Sequence, residues 1–120
     1  MDDIAVQREK SRLEAILERA DVPQQHRDVL IPVVENMAWQ RLKLIETMEQ
    51  IKDSPVAVEY NNGGGQSGVR ENPIFKGYAT LWKSYTTGLS VFTSYLPKEI
   101  EEEVIKEDSV LDKVIRMKQA

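Results

Sequence analysis

Apolar side chains recur along this chain at three- and four-residue steps, separated by short breaks bearing proline or glycine. Residues 3–20 place Leu13, Ile16, Leu17 and Ala20 at helical spacing with charges on the other face, which predicts an amphipathic helix. Asp21-Val22-Pro23 ends it, because a proline holds the residue before it in extended geometry and readily opens the next helix. A second helical region runs from Pro23 to Lys52. Its stripe is Leu30, Val34, Met37, Leu44, Ile45, Met48 and Ile51, and Arg41 falls inside that stripe. Pro32 lies within the pattern and predicts a kink or break near Leu30-Ile31. Asp53-Ser54-Pro55 closes this region.

The clearest periodicity comes later. From Pro73 to about Tyr95, the positions Phe75, Tyr78, Trp82, Tyr85, Leu89, Phe92 and Leu96 follow alternating three- and four-residue steps. Asn72 suits an N-cap and Pro73 the first helical position. Gly88 interrupts helix propensity but not the seam. The seam fits either an ordinary core helix or an intersubunit contact. Aromatics at this density are too bulky for a two-stranded coiled coil, so a broader bundle is the natural setting. Pro97 starts a last helical region with Glu99, Glu101, Glu102 and Glu103 in its first turns, where acid complements the helix dipole. Ser109-Val110-Leu111-Asp112 predicts a restart of that helix. Ile100, Val104, Leu111, Val114 and Ile115 form its apolar side, and Lys113, Arg116 and Lys118 suit its C-terminal end.

Residues 54–71 break the helical rhythm. Val56 to Tyr60 alternates weakly, as a short extended piece would, and Asn61 to Arg70 reads as a loop by composition. Gly63, Gly64, Gly65 and Gly68 are four of the six glycines in the chain. The expectation is an all-α fold of about four to five helices. One domain, residues 1–120, would divide into an N-terminal helical unit (1–53), a glycine-rich hinge loop (54–71) and C-terminal helices (72–120), the last of them acidic.

Composition narrows the chemistry. A chain of 120 residues is the size of a single domain. The absence of cysteine removes disulfides, thiolate metal sites and a cysteine nucleophile. No apolar run approaches the ~20 residues of a membrane span, and Met1-Asp2-Asp3 lacks the apolar core of a signal peptide. A cytoplasmic protein that does not engage a membrane is the expectation.

Net charge is -4, but it is unevenly spread. Residues 72–96 carry Lys76 and Lys83 and no acidic group, and Arg70 and Lys98 flank them. That positive island reads either as chance scatter or as a local anionic contact, with phosphate the obvious ligand.

Catalytic constellations are missing from the pattern. His26 is the sole histidine and reads as a surface or cap residue among polar neighbours. Glu101-Glu102-Glu103 point around a helix rather than at one spot, so no metal or cofactor site is expected. Gly63 and Gly68 have the spacing of the glycines in a phosphate-binding loop, but Val69-Arg70 stands where that motif needs Lys and then Ser or Thr. What survives is a weaker idea, in which glycine backbone, Arg70 and the start of the next helix favour an anion. A plain flexible linker is the alternative. No enzyme is expected.

Both flanks of the glycines look specified. The stretch Val58-Glu59-Tyr60-Asn61-Asn62-Gly63-Gly64-Gly65-Gln66-Ser67-Gly68-Val69-Arg70-Glu71-Asn72-Pro73-Ile74-Phe75-Lys76, continued by Tyr78-Ala79-Thr80-Leu81-Trp82-Lys83-Ser84-Tyr85, resembles the short terminase small subunits of tailed phages and prophages. After this helix many members of that family carry a Gly-Leu-Thr-Pro-like segment, where this chain has Ser94-Tyr95-Leu96-Pro97-Lys98. The resemblance implies a non-catalytic DNA-packaging component in the host cytoplasm. Such a protein forms a homo-oligomer, in a ring, engages double-stranded viral DNA and serves the terminase large subunit, an ATPase and nuclease. On that reading Arg70, Lys76, Lys83 and Lys98 would contact DNA, and the aromatic seam would build the core or the ring interface. The alternative is a helical oligomeric adaptor or scaffold whose partner is a protein.

Overall fold

The computed structural model describes residues 3–107. Helix α1 (Ile4–Arg19) begins where the Asp3 side chain accepts from the Ala5 N–H at 2.9 Å. Its end is chemically explicit. Asp21 takes a left-handed φ of 54°. The Asp21 N–H donates to Glu18 O and the Val22 N–H to Leu17 O, the paired bonds of a Schellman turn. Val22 and Leu17 are both buried there, as that turn requires of its apolar pair.

Helix α2 (Gln24–Lys52) is a single element that runs through Pro32. An interior proline costs about 3 kcal/mol. Leu30, Val34, Met37 and Ala38 on either side of it are all buried. Each large apolar side chain buried contributes about 1.5–3 kcal/mol, so packing outweighs the local penalty; of the expected kink or break, the break does not occur.

α1 and helix α3 (Pro73–Thr93) both pack on α2, which makes α2 the middle of the helical body. Each runs antiparallel to it. Glu9 meets Arg41 and Lys10 meets Glu35 across α1 and α2. His26 meets Tyr95 at one end of the second pair, and Gly88 lies against Met37 further along. The shared core runs from Val6, Leu13 and Leu17 through Leu30, Met37 and Leu44 to Tyr85, Leu89 and Phe92. Leu96 and Val104 of the short helix α4 (Lys98–Glu107) and its approach close one end, helped by an Arg19–Glu103 ion pair at 3.2 Å. One ionic cluster is set into the body. Glu9 is only 5% exposed, receives two bonds from Arg12 at 2.7 and 2.8 Å, and pairs with Arg41 at 3.2 Å.

The fold is not all-α. Residues expected to form a glycine hinge loop make an antiparallel hairpin of β1 (Ala57–Gly63) and β2 (Gln66–Glu71). Gly64 and Gly65 form its two-residue turn with φ of 58° and 80°. Positive φ at both central positions is what a type I′ hairpin turn needs, and glycine supplies it without strain. Gly63 and Gly68 belong to the strands themselves. A register shift between Asn61 and Gly63 marks a bulge, and Asn61 Oδ1 accepts from the Gly63 N–H at 2.8 Å beside it. The hairpin leaves the end of the α2–α3 pair, and the molecule measures 62 × 32 × 23 Å. The restart expected at Ser109-Val110-Leu111-Asp112, with Val114, Ile115, Lys113, Arg116 and Lys118, lies outside the described residues.

Candidate nucleic-acid interface

Asn72 joins the hairpin to α3 and does two jobs at once. Its Oδ1 accepts from the Ile74 N–H at 3.2 Å, which caps the helix. Its Nδ2 donates to Pro55 O at 2.9 Å, and its backbone N–H donates to Val56 O at 2.8 Å, which fastens the base of the hairpin. Pro73 has no N–H, and the Phe75 N–H donates to Asn72 O. The start of α3 therefore spends its own donors on Asn72. It is not the open anion cradle that the sequence suggested.

The seam of α3 divides into two parts. Tyr85, Leu89, Phe92 and Leu96 are buried in the subunit's own core. Phe75, Tyr78 and Trp82 are half-buried toward the hairpin end. Tyr78 and Trp82 pack against the core there. The Tyr78 hydroxyl is buried with no hydrogen-bond partner among the described residues. Burial pushes its pKa up from the ordinary 10.0.

The opposite face of α3 was hidden in the sequence behind those aromatics. Lys76, Thr80, Lys83, Thr87, Ser90 and Ser94 repeat the same four- and three-residue steps on the far side of the helix, and all six are exposed. No residue of α3 is acidic. Lys76 and Lys83 are one heptad apart, about 10 Å along the axis. The Thr87 hydroxyl donates to Lys83 O at 2.9 Å and that of Ser94 to Val91 O at 2.6 Å, so these two brace the helix backbone. In an acidic chain this is a lysine- and hydroxyl-bearing stripe with no carboxylate of its own, the surface chemistry that contacts phosphodiester oxygens.

The four candidate cations do not form one group. Arg70 lies on β2, next to the start of α3, and its guanidinium carbon sits 5.9 Å from the Tyr60 ring centroid. Lys76 and Lys83 follow on the helix. Lys98 opens α4, past the other end of α3 and about 30 Å along its axis from the hairpin. His26 sits in the first turn of α2 with its ring edge-on to Tyr95 at 5.2 Å. Among the described residues, no group of three or more His, Asp or Glu side chains is placed to hold a metal ion. No helix among them is long and apolar enough to cross a membrane. A cleft lined by Glu14 and Leu17 of α1 and by Arg27 and Ile31 of α2 holds about 180 Å³.

No family model matches the chain, and neither a curated protein nor a solved structure matches it.

Proposed function

We propose that this chain is a non-catalytic DNA-packaging component of the terminase small subunit kind it resembles. In that role it assembles with copies of itself in the host cytoplasm, binds double-stranded DNA and serves a large terminase subunit. The observation that carries the DNA half of this reading is the outward face of α3. Its lysines and hydroxyls line up along one side, and the helix bears no acid. A duplex presents a phosphate charge every ~1.7 Å of its axis, so two lysines ~10 Å apart on one protomer make a weak contact alone. Repetition of that face around an oligomer multiplies it, which reconciles DNA binding with a net charge of -4.

Two measurements on the same sample test this. Light scattering gives the size, with several protomers per particle expected. A mobility-shift assay with duplex DNA at ~50 mM salt is expected to show retention that disappears by ~200 mM. A monomer at high concentration that leaves duplex DNA unshifted contradicts the proposal. An oligomer that leaves DNA unshifted favours the protein-adaptor reading instead.

A further inference from the structure

The hairpin is ordered although, among the described residues, none of its side chains is buried, and Val69 is 68% exposed. Yet Asn72 fastens its base and a two-glycine turn sets its tip.

Its two faces differ. Strand pairing puts Val58 opposite Arg70 and Tyr60 opposite Gly68, all on one face. Ala57, Glu59, Asn61, Ser67, Val69 and Glu71 share the other. Both carboxylates of the hairpin are thus on one side and its only cation on the other. Gly68 is explained by the same arrangement. A Cβ there would lie 3.1 Å from Tyr60 Oη and 3.2 Å from Cε1. The missing side chain lets the tyrosine ring lie across the neighbouring strand, where the Arg70 guanidinium comes within cation–π reach of it.

We propose that the Tyr60–Gly68–Arg70 face of the hairpin is a duplex-DNA contact, with the ribbon entering a groove and Arg70, steadied over Tyr60, meeting the phosphodiester backbone. This rests on the DNA-binding reading above and names a second element for it. Three physical points select DNA as the occupant. The face is cationic and free of carboxylate. The chain passes from it through Asn72 directly into the acid-free stripe of α3. A two-stranded ribbon about 20 Å long is also of a size that the ~12 Å major groove admits. A guanidinium held against a ring loses less freedom on meeting a phosphate than a free one.

The chain contains no cysteine, so Gln66→Cys near the hairpin tip, on the same face of β2 as Gly68 and Arg70, gives one attachment point for a thiol-directed photocrosslinker. Ser11→Cys on the exposed side of α1 is the control. In the full-length protein, the Gln66 probe is expected to crosslink duplex DNA and the Ser11 probe is not. Arg70→Gln is expected to weaken duplex binding about tenfold at low salt and to lower the salt slope by about 1 per protomer. Tyr60→Leu should weaken binding about threefold, and Tyr60→Phe should leave it unchanged. Bound DNA with no crosslink at Gln66, or wild-type affinity in Arg70→Gln, overturns the hairpin contact and leaves the α3 reading standing. Wild-type protein that binds no duplex at all overturns both.

Discussion

The helical body and the hairpin are held by different physics. In the body, Leu30, Met37, Leu44 and Phe92 are essentially sealed from water, and an ion pair as expensive as Glu9–Arg41 is tolerated inside it. Among the described residues of the hairpin none is sealed. Strand pairing, a glycine turn and the bonds of Asn72 keep its shape. Two-stranded hairpins are marginal when isolated, so the hairpin depends on the body, to which Asn72 bonds it. A part that is ordered but unburied is free to meet a partner.

That contrast predicts unequal sensitivity. Phe92→Ala empties the middle of the core and is expected to cost about 3–5 kcal/mol in chemical denaturation, whereas Val69→Ala in the hairpin should stay within about 0.5 kcal/mol. Similar losses at both sites would mean that the hairpin packs after all. Next comes the buried cluster. Glu9→Ala removes the buried carboxylate to which Arg12 and Arg41 both bond, and a loss of about 2 kcal/mol is expected. A loss below about 1 kcal/mol would show that the pair is solvated.

Asn72 separates the two regions most finely. Asn72→Ala removes cap and clamp together and should cost about 1 kcal/mol. Asn72→Asp keeps the acceptor for the Ile74 N–H but loses the donor to Pro55 O. Global stability should then hold while amide exchange in residues 57–71 accelerates. Wild-type protection of residues 57–71 in both variants would separate hairpin order from Asn72. The smallest effect is at Tyr78. Tyr78→Phe removes a buried hydroxyl that bonds to nothing among the described residues, and a gain of up to about 1 kcal/mol is expected. Because burial raises its pKa above 10.0, the neutral phenol is the form the fold prefers. Stability tied to it is complete below that pH and falls as pH rises through the folded value. Tyr78→Phe should flatten this alkaline limb, and an unchanged limb would assign the loss to other groups.

The helical body was legible because its signals are local and periodic. Asp21-Val22-Pro23 marked the first break, and the aromatic steps of α3 marked the last long helix. Pro32 does not break α2, because its penalty is local while the packing that outweighs it comes from α1 and α3. The hairpin was missed for a compositional reason. Glycines at 63–65 and 68 read as a loop, and only Val58 and Tyr60 hinted at alternation. The signal lay in Gly64-Gly65 as a two-residue turn with Asn61 before it. Gly68 was not readable at all, since its reason is a ring on the neighbouring strand. In the candidate site, Lys76 and Lys83 were visible as charges. Thr80, Thr87, Ser90 and Ser94 were overlooked, though they keep the same steps opposite the aromatics. Lys98 entered the group as a flanking charge, and the ~30 Å length of α3 sets it apart from Arg70.

Duplex binding by the outward face of α3 through phosphate is tested most directly by fluorescence anisotropy of labelled duplex against wild type and the Lys76→Gln/Lys83→Gln double variant, across a salt series. Loss of two phosphate contacts should lower the slope of log K against log salt by about 2 per protomer, with affinity reduced at low salt and oligomer size unchanged. Identical slopes for the two proteins would contradict the account.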